Sequence, residues 1–148
     1  MERLTDADID PAPLAGRRVA ILGYGNQGRA QALNLRGSGI DVVVGLRRGS
    51  PGRERAAADG VAVADPDAAA SGADVVMLLV PDEAMAAAYG SVAAALRPGA
   101  ALGFSHGLAI HFGLVEPRDD LDVFLVAPKG PGTALRALYE QGEGMLAL

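Results

Sequence analysis

The apolar segment RRVAIL, residues 17–22, runs directly into GYGNQG, residues 23–28. Three glycines at this spacing, behind a strand-like run and ahead of the helix-compatible QALNLR, constrain the fold more than any other feature. The pattern is that of a buried strand, a tight turn and a helix whose first amide groups face a ligand. Gly23 permits the turn, Gly25 lets backbone approach a diphosphate, and Gly28 lets the helix pack against the strand. Free N–H groups at the start of that helix, together with its dipole, favour an anion. An ordinary glycine-rich strand–helix turn has the same local spelling, so the rest of the chain has to discriminate.

Short apolar runs recur behind this turn. Residues 19–22, 42–44, 61–64, 75–80, 101–104 and 123–126 read as strands, apolar at consecutive positions as in strands buried on both faces. Residues 27–36, 53–59, 66–71, 83–96 and 133–141 read as helices. Asp65 is expected to cap the third helix ahead of Pro66, and Gly142 to end the last. GMLAL at the C-terminus adds a candidate strand, and residues 108–120 form the least regular internal stretch. Alternation of this kind predicts a three-layer, Rossmann-like α/β domain with a doubly wound parallel sheet. The 148 residues suit one domain, with residues 1–16 as a lead-in.

Composition excludes several functions. A net charge of −5 argues against general nucleic-acid affinity. The one basic stretch is RRGSPGRER, residues 47–55. With no cysteine, disulfides and thiolate metal sites are excluded. No apolar run is long enough to span a membrane, and the first residues do not resemble a signal peptide, so a cytoplasmic protein is expected.

Within the predicted sheet, ligands lie outside the carboxyl ends of the strands. The second strand ends VVVGLRR, where an acid for a ribose 2′-hydroxyl would otherwise stand. Arg47, Arg48 and Ser50, with Arg53 beyond, suit a 2′-phosphate instead, because guanidinium groups offer it charge-assisted bonds. NADP is therefore expected, with NAD as the alternative; a solvated arginine loop would look similar. Later strands end in Pro81-Asp82-Glu83, in Ser105-His106-Gly107 and in Pro128-Lys129-Gly130-Pro131-Gly132. His106 can donate a proton near neutral pH and Lys129 can hold an anion. Either could equally be an ordinary loop residue, and helix capping is an equally good account of Asp82 and Glu83. His111, among apolar neighbours, reads as structural.

Four segments together, GRRVAILGYGNQGRAQALNLRGSGIDVVVGLRRGS, ADVVMLLVPDE, GFSHGLAIHFG and VAPKGPG, resemble the N-terminal domain of ketol-acid reductoisomerase in order and spacing from about Leu14 onward. The resemblance implies NADPH binding, with Tyr24, Gly25, Asn26 and Gln27 lining the dinucleotide. It implies that Arg47 and Ser50 meet the 2′-phosphate, and that Asp82, Glu83, Ala84, Met85 and Gly132 complete the site. Gly52 stands where many members carry another serine. His106 matches the family's active-site histidine, and Lys129 matches the lysine near its metal-bound substrate. The magnesium-binding aspartate and glutamates of the family belong to a helical domain that these residues do not include. Magnesium and metal-dependent isomerisation are accordingly not expected of this chain.

The expected function is an NAD(P)-dependent reductase of a small carbonyl or imine compound, in specialised metabolism. A homodimer or a partner subunit would cover the apolar surface that the helical domain covers in the family. Two other readings stay open: a dinucleotide-binding module without catalysis, and a non-redox enzyme acting on a nicotinamide- or nucleotide-derived substrate.

Overall fold

The computed structural model describes residues 8–148. Six parallel strands form one sheet in the order β3-β2-β1-β4-β5-β6. They are β1 (Arg18–Leu22), β2 (Asp41–Gly45), β3 (Ala62–Ala64), β4 (Val75–Leu78), β5 (Ala101–Phe104) and β6 (Asp122–Leu125). The helices are α1 (Asn26–Gly37), α2 (Gly52–Ala58), α3 (Pro66–Ser71), α4 (Asp82–Val92), α5 (Leu108–His111) and α6 (Gly132–Glu140). This is the doubly wound α/β fold that the alternating pattern predicts.

Strand periodicity divides the core into two layers. Val19 and Ile21 of β1, Val42 and Val44 of β2, and Val75 and Met77 of β4 pack on one face with Ala32 of α1 and Ala56 of α2. Ala20, Leu22, Val76, Leu78, Leu102 and Phe104 pack on the other, against α3, α4 and α5. Both faces of the central strands are dry because successive side chains alternate sides and each side meets a helix layer. Burying a large side chain such as Phe104, Ile21 or Leu78 contributes about 1.5–3 kcal/mol each. Ala69, Ala70 and Ala73 let α3 lie close to the sheet. After β6 the chain returns, and α6 packs along α1.

The expectations fail where tertiary contacts overrule local pattern. β6 is an edge strand rather than a doubly buried one, and Val123 and Leu125 are nearly half exposed. The fourth strand stops at Leu78, and the fourth helix at Val92 rather than at 96. Asp65 occupies the cap position of α3, but its side chain bonds none of the helix amides; the carboxylate is held by Arg48 and Arg53 at 3.1 Å each. GMLAL pairs antiparallel with residues 127–129 through one bridge, Pro128 to Ala147, and does not join the sheet. The stretch 108–120 holds the single turn α5. Arg118 then fastens its end to Asp120, the Tyr89 hydroxyl and the carbonyls of Ala93 and Leu96. Of the lead-in, residues 1–7 lie outside the described residues; Ala12–Leu14 form a 3-10 turn, and Leu14 packs against the core.

Candidate functional site

Strands β1 and β4 are neighbours, yet the chain leaves β1 toward one edge of the sheet and β4 toward the other. At that reversal the connections diverge and open a crevice at the carboxyl ends. A cleft of about 490 Å³ occupies it, floored by Leu22, Gly23, Tyr24 and Gly25. Gly45, Leu46, Arg47, Ser50 and Gly52 form the side toward β2, and Ala84, Ala87, Ala88 and Ser91 of α4 form the side opposite.

The three glycines of the turn play different parts. Gly23 has φ of +105°, and a Cβ there would lie 2.6 Å from the Leu79 carbonyl oxygen. A Cβ on Gly28 would overlap the Gly23 carbonyl oxygen. Both glycines are required by the protein's own packing. Gly25 is different: its φ is −80°, a value any residue adopts, and a Cβ there would meet nothing within 4 Å. Open space over a glycine with ordinary dihedrals, at the start of a helix with free amides, fits an anionic group approaching the backbone from outside.

Tyr24 is buried at the cleft, and its hydroxyl donates to Asp59 at 2.9 Å. Arg29 also grips Asp59, at 2.7 and 2.8 Å. Burial first, and the Asp59 carboxylate second, push the Tyr24 hydroxyl up to about 12. The bonds from Arg29 hold Asp59 below the usual carboxylate range. This cluster fastens the glycine turn to the end of α2.

The arginines after β2 separate by partner. Arg47 is exposed on the cleft rim and, among the described residues, its side chain has no hydrogen-bonding or ion-pair partner. Arg48 points instead to Asp65, and Arg53 donates to the Leu46 carbonyl and to Asp65. Arg48, expected at the ligand, makes this ion pair from a side chain that is 88% exposed. Ser50 lines the cleft and accepts from the Gly52 amide at 3.3 Å.

The loops after β4, β5 and β6 are linked by hydrogen bonds. His106 Nδ1 lies 3.2–3.3 Å from the Asp82 carboxylate oxygens, which ties the β5 loop to the first turn of α4. Gln31 donates to Ser105 at 3.0 Å and to Gln27 at 3.3 Å, and Gln27 donates to the Gly130 carbonyl at 2.9 Å. A Cβ on Gly132 would overlap the Asn26 carbonyl, so the start of α6 sits directly against the start of α1. Lys129 is exposed; its backbone amide bonds to the Leu146 carbonyl, and its side chain has no partner among the described residues.

Several expected residues fall elsewhere. Met85 is buried in the core with Tyr89 and Val92, on a different stripe of α4 from the one that lines the cleft. Pro81, Asp82 and Glu83 do not line the cleft. The Gln27 side chain is committed to Gly130, and Asn26 lies in a neighbouring concavity outside α1. Sequence reading missed Ala84's companions Ala87, Ala88 and Ser91, although the spacing i, i+3, i+4, i+7 marks one small-residue face. It also missed Arg55, which lines both concavities. Among the described residues no three His, Cys, Asp or Glu side chains gather closely enough to hold a metal ion, and no helix is long and apolar enough to cross a membrane.

Comparison with solved structures agrees with this geometry. An NADH-preferring ketol-acid reductoisomerase from an uncultured archean is 44% identical with a TM-score of 0.94, covering 99% of this chain and 46% of that one. A semialdehyde dehydrogenase NAD-binding protein from Cupriavidus necator, in complex with calcium and NAD, is 29% identical with a TM-score of 0.68 over 76% of this chain and 41% of that one. A 3-hydroxyisobutyrate dehydrogenase from Mycobacterium tuberculosis is 28% identical with a TM-score of 0.63 over 82% and 44%. The chain thus spans about half the length of these proteins. Residues 13–148 match the family model described as "Acetohydroxy acid isomeroreductase, NADPH-binding domain". By that match, and by its likeness to a ketol-acid reductoisomerase, the chain belongs to the family of acetohydroxy acid isomeroreductase NADPH-binding domains.

Proposed function

We propose that this chain binds a nicotinamide dinucleotide, NADP(H) with NAD(H) as the alternative, and acts as a reductase of a small carbonyl or imine compound without metal-dependent isomerisation. The observation that carries the reading is Gly25, the one glycine of the turn that the protein's own packing does not require. In this reading the diphosphate sits over Gly25 and the first amides of α1. The adenosine end lies along Ala84, Ala87 and Ala88, with Arg47 and Ser50 at its 2′-phosphate. The relative described as NADH-preferring keeps NAD(H) within the reading.

A bound reduced nicotinamide supplies hydride. The chain supplies the rest of what such a reduction needs. His106 holds a proton for the developing alkoxide or amine, and Asp82 fixes its ring through Nδ1, leaving Nε2 free to face a substrate. The Lys129 ammonium holds the anionic end of a small acid and offsets charge developing beside it. Gln27 and Gln31 keep the loops bearing these two residues in register with α1. Exposed apolar side chains of β6 and the residue after it, Val123, Leu125 and Val126, support a homodimer or a partner subunit over that edge.

The test is NADPH oxidation over a panel of 2-keto acids and imines, with wild type and His106→Ala. Turnover by wild type that falls at least about a hundredfold in the variant, with cofactor affinity retained, is the expected result. Cofactor binding with no turnover anywhere in the panel would leave a binding module.

A further inference from the structure

A second concavity of about 440 Å³ flanks the glycine turn on the outer side of α1, lined by Gly25, Asn26, Arg29, Arg55, Thr133 and Arg136. Two of its three arginines are committed. Arg29 is held by Asp59, and Arg136 by Glu140 at 2.9 Å and by the Asn34 side chain at 3.0 Å. The Arg55 side chain has no hydrogen-bonding or ion-pair partner among the described residues. Gly25 and Arg55 alone line both this concavity and the main cleft. An uncommitted arginine therefore lines the same two hollows as the one glycine of the turn that is open above its backbone.

We propose that Arg55 is a diphosphate-binding residue, closing from α2 over the dinucleotide whose phosphates rest on Gly25 and the α1 amides. This rests on the dinucleotide reading and adds to it a division of labour among cations. Arg47 and Ser50, on the β2 side of the cleft, read the 2′ position, which differs between NADP and NAD. Arg55, beside Gly25, holds the diphosphate that both cofactors share. A guanidinium fork matches paired phosphate oxygens, and an exposed arginine without a carboxylate partner surrenders no ion pair when it turns to them.

Calorimetric titration of wild type, Arg55→Gln and Arg55→Lys with NADPH, NADH, ADP-ribose and adenosine 2′-monophosphate tests the assignment. Arg55 is exposed on a helix, so glutamine there preserves the fold, which circular dichroism checks. The expected result is an affinity loss of about tenfold in Arg55→Gln, equal for NADPH, NADH and ADP-ribose, partly recovered in Arg55→Lys and absent for adenosine 2′-monophosphate. Unchanged affinity for the first three ligands overturns the role of Arg55 while leaving dinucleotide binding intact. A loss confined to NADPH and adenosine 2′-monophosphate also overturns it, by moving Arg55 to the 2′-phosphate. Failure of wild type to bind any dinucleotide overturns both readings.

Discussion

Adding one methyl group at each glycine of the turn separates structure from binding. In Gly25→Ala the new Cβ meets no protein atom within 4 Å, and φ of −80° needs no adjustment. Stability should therefore stay level or rise by about 0.4–1 kcal/mol, because alanine narrows the unfolded ensemble. In Gly23→Ala the Cβ lies 2.6 Å from the Leu79 carbonyl oxygen, at φ of +105°, so a loss of about 1–3 kcal/mol or more is expected. For a chain of this size that corresponds to a fall in Tm of about 2–4 °C for each kcal/mol. Binding should show the opposite preference. A methyl at Gly25 keeps a phosphate from reaching the α1 amides, and each charge-assisted bond lost costs about 1.5–3 kcal/mol, so NADPH affinity should fall by roughly tenfold to a hundredfold or more. Urea unfolding followed by circular dichroism, with calorimetric titration of NADPH, measures both quantities on the same samples. If Gly25→Ala binds NADPH like wild type, no diphosphate lies over that residue and the reasoning fails. If it unfolds like Gly23→Ala, the space above it is not open.

Arg47→Gln should weaken NADPH by about tenfold and leave NADH unchanged, since only NADPH carries the 2′-phosphate; parallel titrations decide it. Tyr24→Phe removes the bond to Asp59 and should cost about 1 kcal/mol at neutral pH, read from urea midpoints. The Tyr24 hydroxyl is raised in the fold from 10.0 to about 12, so its contribution is intact below the unfolded value and is lost as pH rises through the folded one. The gap between wild type and Tyr24→Phe should therefore close in strongly alkaline buffer. Asp59 shifts the other way, held down by Arg29; its contribution is present above the unfolded carboxylate value and is lost as pH falls through the lowered one. Asp59→Asn should flatten the acid limb of the stability profile. Sedimentation of wild type and of a double variant, Val123→Ser with Leu125→Ser, tests the assembly at two exposed positions of the β6 edge. An oligomer that dissociates in the double variant supports a covered face, and a monomeric wild type removes it.

Much of the fold is legible locally because its signals are local. Val19 to Leu22 ahead of Gly23 specify a buried strand and a turn within a few residues, and the strand–helix alternation leaves little choice but a parallel sheet. The ends of elements are less legible. Whether β6 is buried depends on what lies beyond it in the sheet order, not on its own apolar spelling. Asp65 has the right type and position for a cap, but two arginines compete for it across the β2 loop.

The site divides in the same way. Sequence alone determined that a glycine turn opens a helix, that arginines and a serine follow the second strand, and that His106 and Lys129 close later strands. These follow from residue type and spacing along the chain. Only the tertiary structure gave those side chains their partners: Arg48 and Gln27 meet Asp65 and Gly130, Met85 lies in the core, and Arg47 and Arg55 remain uncommitted among the described residues. The reason is physical. A polar group reaches a ligand only if no nearer protein partner claims it, and partners 17 or 103 residues away in sequence are brought near only when the chain folds.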